Sequence, residues 1–111
     1  MVPQSRSLEV LAVIRHLVLL QLNPECPPEA VEAIAEGLRE LPQAITEIRT
    51  LECGPDVGEL HEGFNFAISA DFEDLVAYRV YARHPAHRRV IEELLSPWVE
   101  SRCRAQIQLQ G

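Results

Sequence analysis

Between about Val10 and Leu22 the chain is apolar in both of its alternating rows. His16, Val18, Leu20 and Leu22 form one row, and Leu17 and Leu19 the other. Successive side chains of a strand point to opposite faces, so a strand here has no face left for water. It must lie inside a sheet with a strand on each side, helices against one face and a second layer against the other. A chain of 111 residues is of single-domain length, and small enough that a partner subunit would help to bury its core.

The rest of the sequence supplies the covering elements. Asn23 to Pro28 is a proline-rich loop ending at a residue suited to the first turn of a helix. Val31, Ile34, Ala35, Leu38 and Leu41 then repeat at helical spacing, Glu29, Glu32, Glu36, Arg39 and Glu40 fall outside them, and Pro42 marks the expected exit. Thr46 to Cys53 reads as a second strand, followed by a turn over Cys53 to Gly58. Phe64, Phe66, Ile68, Ala70 and Phe72 occupy every second position, which gives the clearest strand. A short helix is expected over Glu73 to Tyr81 and another from Pro85 to about Leu95. Last, Cys103, Ala105, Ile107 and Leu109 alternate with Arg102, Arg104, Gln106 and Gln108, a half-buried strand.

This order, β-α-β-β-α-(α)-β, is the split β-α-β arrangement of an α+β ferredoxin-like fold with a four-stranded antiparallel sheet. Residues 1–9 are expected to be a loose segment and 10–111 one domain. Helices on one face leave the other face of the sheet open, and the first strand makes that face apolar. A symmetric homodimer through the open sheet face is the expected solution.

Composition removes several functions. The net charge of −7 argues against nucleic acid binding through a basic surface. All ten basic residues are arginine, which excludes Schiff-base chemistry on lysine and suggests a GC-rich bacterial coding bias. Cys26, Cys53 and Cys103 are odd in number and form no C-x-x-C pair, so a zinc module or disulfide framework is not expected. Arg15, His16 and Gln21 interrupt the first apolar run, so it reads as neither a signal peptide nor a membrane span. The expectation is a soluble cytoplasmic protein with no metal, cofactor, membrane or nucleic acid partner.

The residues that could carry chemistry cluster in Tyr81-Ala82-Arg83-His84-Pro85-Ala86-His87. Pro85 fits a helix start, and His87, Ile91, Leu94 and Trp98 then share one stripe beside Val90. His87 would point inward from the first turn. Burial and the positive end of the helix dipole both favour its neutral form, which suits a general base and equally a packed structural histidine. His16 on the apolar strand face has the same two readings, and His84 would flank the helix start. His84 and His87 are three apart, but no carboxylate or cysteine supports them as metal ligands, and Pro85 makes the geometry awkward. A pocket, if the core leaves a gap, would be lined by His84, Leu38, Phe66, Ile91 and Trp98.

Four local patterns together resemble the stress-responsive A/B barrel, or Dabb, family. They are Arg15-His16-Leu17-Val18-Leu19-Leu20, the run from Ile48 to Val57, Glu62-Gly63-Phe64-Asn65-Phe66, and the H-P-x-H segment His84 to His87 with Tyr81 before it. The resemblance implies a dimeric α+β barrel. It also implies two kinds of relative: stress proteins without an assigned reaction, and a cofactor-free polyketide cyclase that uses histidine and tyrosine. Carried over from the cyclase, His87 is the base, Tyr81 its hydrogen-bonding partner and His16 a pocket residue, while Leu38 stands where the cyclase has a further tyrosine. Three functions follow: a binder of a small apolar or aromatic molecule, a cyclase or lyase, or a purely structural, stress-protective oligomer.

Overall fold

A computed structural model describes residues 13–110 except His61; the segment 1–9 lies outside the described residues. The elements run β1 (Val13–Leu22), α1 (Pro28–Ala44), β2 (Ile48–Pro55), β3 (Phe66–Phe72), α2 (Leu75–Arg83), α3 (Pro85–Val90), a π-helical turn (Ile91–Leu95) and β4 (Val99–Leu109). The sheet order is β2-β3-β1-β4, antiparallel throughout. The doubly apolar first strand is thus central, paired with β3 on one side and β4 on the other.

Helices cover one face. Leu20, Leu22, Phe66, Ile68, Ala70 and Phe72 from the sheet meet Ile34, Ala35, Leu38 and Leu41 of α1, all buried. Pro42 does not end α1, which runs to Ala44. A proline in the last turn removes a single helical hydrogen bond. The chain is also drawn inward just beyond, because Ile45 is fully buried and its N–H donates to the Leu41 carbonyl (2.8 Å).

Other boundaries also differ from the sequence reading, and β2 runs from Ile48 to Pro55 rather than from Thr46 to Cys53. β3 begins at Phe66 rather than Phe64 because the Asn65 side chain pairs with the β1 backbone. It accepts from Leu22 N (2.8 Å) and donates to Leu22 O (3.1 Å), in place of a ladder bond. α2 begins at Leu75 because the Asp74 side chain caps it, accepting from Ala77 N (2.8 Å). β4 begins at Val99, four residues before the clear alternation, since it follows β1 along its whole length.

Candidate functional site

Pairing register decides what faces the helices. On β1, His16, Val18 and Leu20 stand opposite Gln106, Arg104 and Arg102 of β4, and directly opposed residues share a face. His16 is only 5% exposed. Its Nδ1 lies 3.1 Å from Gln106 Nε2, and an amide nitrogen can only donate. The neutral ring therefore accepts at Nδ1 and carries its proton on Nε2. Burial, then the charge of Arg104 and of His87, hold its pKa below the ordinary histidine value.

The corner between α2 and α3 presents the other groups. His84 closes one helix and opens the next. Its backbone N–H donates to the Tyr81 carbonyl (3.1 Å), and its Nδ1 accepts from Ala86 N (3.0 Å). Pro85 takes the first helical position, which turns His87 inward. His87 Nδ1 faces the Ala82 carbonyl at 3.4 Å, a long and weak bond. A carbonyl can only accept, so Nδ1 carries the proton and Nε2 keeps its lone pair. Burial lowers the His87 pKa most, the Ala82 hydrogen bond opposes it in part, and the neighbouring charges of Arg88 and then His84 lower it further. The neutral form is favoured at both histidines.

The aromatic rings tie these groups together. Tyr81 lies 4.0 Å from His87 between ring centres and 6.4 Å from His16, and His16 lies 4.8 Å from Tyr78. Tyr81 is buried, and burial beside Tyr78 pushes its hydroxyl pKa well above the ordinary phenol value. Among the described residues no hydrogen bond occupies that hydroxyl.

His16, Tyr81 and His87 border one cavity of about 220 Å³ between the sheet and the helices, together with Leu38 and Ile91. The remaining three residues expected to line it do not. His84 is occupied as the helix cap, Phe66 is sealed in the core at 1% exposure, and Trp98 packs on the core beside β4. Ile91 and Leu95, at the two ends of the π-helical turn, form part of the wall. Tyr78, Arg102 and Arg104 also line the cavity and were not expected there. The arginines read as the wet row of a half-buried strand. Only the β1–β4 register, invisible in a single chain, turns that row toward His16. Among the described residues no three His, Cys, Asp or Glu side chains converge as a metal site.

The opposite sheet face is bare. Leu17, Leu19, Ala67, Cys103 and Ala105 border an apolar groove of about 510 Å³, and Leu19 and Ile107 are 42% and 48% exposed. Arg15 pairs with Asp71 on this face, through two contacts of 2.8 and 2.9 Å. No described helix is long and apolar enough to cross a membrane.

Known proteins share this arrangement. A dimeric ferredoxin-like protein of unknown function from Thermobifida fusca superposes with a TM-score of 0.80 at 32% identity, over 88% of this chain and 92% of that one. A hydroxynitrile lyase from Passiflora edulis superposes with a TM-score of 0.78 over 88% and 94% of the two chains, but at 17% identity it shares the fold alone. An uncharacterized protein of Streptomyces coelicolor is 33% identical over 78 residues, 68% of this chain and 80% of its own length. The family model described as the stress responsive A/B barrel domain matches residues 14–107. The α+β sheet, the His-Pro-x-His corner and this match together make the chain a member of the stress responsive A/B barrel (Dabb) family.

Proposed function

We propose that this Dabb protein is a cytoplasmic homodimer that holds a small apolar or aromatic molecule between its sheet and its helices. The observation that carries the reading is the cavity of about 220 Å³ to which His16, Tyr81 and His87 all contribute. Apolar walls with a few convergent polar groups are the usual make-up of a small-molecule site. Pairing of the bare sheet faces would bury Leu19 and Ile107 and close the barrel. The three unpaired thiols suit a reducing compartment. A thermal-shift panel of one-ring aromatics tests the pocket. Wild type should be stabilised by some members, and Ile91→Trp, which fills the cavity, should lose that response while remaining folded and dimeric. An unchanged response in Ile91→Trp would place binding elsewhere.

A second reading, cofactor-free lyase or cyclase chemistry, is favoured by the complementary protonation of the two histidines. His87 Nε2 holds a lone pair, while His16 Nε2–H and the Tyr81 hydroxyl are donors. His87 would take a proton from carbon next to a carbonyl, and the electron pair would move onto the carbonyl oxygen. His16 or Tyr81 would stabilise the resulting enolate by hydrogen bonding. Turnover of a β-polyketo thioester that disappears in His87→Ala would support this chemistry. Binding without turnover leaves the first reading, and a protein that neither binds nor reacts is the structural oligomer.

A further inference from the structure

β4 brings to the cavity something the helices do not. Arg102 and Arg104 are two residues apart, hence on one face of the strand, and both border the cavity. Neither makes an ion pair among the described residues. No carboxylate lines the cavity, although the chain has 17 acidic residues to 10 basic ones. Carboxylates thus outnumber arginines over the whole chain, yet positive charge at this rim is unmatched. The guanidinium of Arg104 is close enough to His16 to disfavour its protonation, which places that charge beside the cavity's polar wall. Arginine presents a planar fork suited to a carboxylate.

We infer that the cavity takes a small aromatic carboxylate, its ring against Tyr78 and Tyr81 and its charged head held at the rim by Arg102 and Arg104. The inference rests on the pocket reading above and adds the chemical class of the ligand. Size sets the shape of that ligand. A cavity of about 220 Å³ holds about seven waters at ~30 Å³ each. That is room for one ring and a short substituent, so a ring in the interior leaves its carboxylate at the arginines.

The test is binding of phenylacetate, phenylacetamide and phenyl phosphate to the dimer, followed by calorimetry. The acid should bind about tenfold more tightly than the amide at low salt, the difference between a charged and a neutral hydrogen-bonded head group. That preference should shrink as salt rises. It should also collapse in Arg102→Gln/Arg104→Gln, the acid losing much more affinity than the amide. Both positions are exposed, so the variant should fold; the two single variants and the salt series serve if it does not. Equal binding of acid and amide, or a preference that survives the double variant, would overturn the carboxylate assignment and leave the pocket standing. Stronger binding of phenyl phosphate would overturn the choice of carboxylate in favour of phosphate. Failure of all three to bind would overturn the pocket and the inference together.

Discussion

His16 and His87 connect the cavity to the stability of the fold. In the unfolded chain both titrate near 6.5, and in the folded protein both are lowered, chiefly by burial. Between 6.5 and those lower folded values, the unfolded chain binds more protons than the folded one. Stability therefore falls as pH falls through that window. Asp71 adds a second loss further down. Its carboxyl is held below its ordinary value of 3.8, first by the Arg15 hydrogen bond, so stability drops again as pH falls beneath that value. Urea midpoints at about pH 7.5 and about pH 5.5 isolate the histidine window. Wild type should be less stable at the lower value, and the paired substitutions His16→Gln and His87→Gln should flatten the difference. A slope that is the same in the variant would assign the dependence to other groups. The inward turn of His87 was legible in the sequence, because a proline start fixes which residue follows one turn later. The tautomers of His16 and His87 were not, since each depends on a partner brought close by folding.

Among the elements, α1 and the π-helical turn pack directly on each other at Gly37 and Leu94. A β-carbon at Gly37 would lie 2.5 Å from Leu94 Cδ1, closer than packed atoms approach. Gly37→Ala therefore sets overpacking of about 1–3 kcal/mol against a helix-propensity gain of about 1 kcal/mol. A net loss of about 1 kcal/mol is expected in wild type. The sign should reverse in the Leu94→Ala background, where the obstruction is gone, and a chemical-denaturation cycle over the four proteins measures this coupling. Equal effects in both backgrounds would mean that the helices do not meet there. Strand and helix order were readable from apolar periodicity, as the Phe66 to Phe72 alternation and the α1 stripe show. Pro42 misled because its missing bond falls in a last turn that Ile45 anchors. β4 misled more, since a row of Arg and Gln signals water whether or not an edge strand turns it toward a cavity beside the helices.

At the scale of the whole molecule, one sheet has two uses. The helix-side face carries the cavity, and the opposite face carries the exposed apolar side chains of Leu19 and Ile107, the surface proposed for pairing. The first strand, apolar in both rows, announced that division, and its position at the centre of the sheet explains why no polar row was needed. Leu19→Arg places a charge in the middle of the bare face. Sedimentation should show a dimer for wild type and a monomer for the variant at matched concentration, whereas a variant of dimer mass would move the proposed assembly surface off this sheet face. The cavity is probed most directly by following the His16, His84 and His87 ring C–H resonances of the dimer during titration with a one-ring aromatic ketone. His16 and His87 should shift together to saturation while His84, held as a helix cap, stays still. Saturating shifts confined to residues outside the cavity, or an unmoved His16 and His87 across a panel of such ketones, would contradict a ligand pocket between sheet and helices.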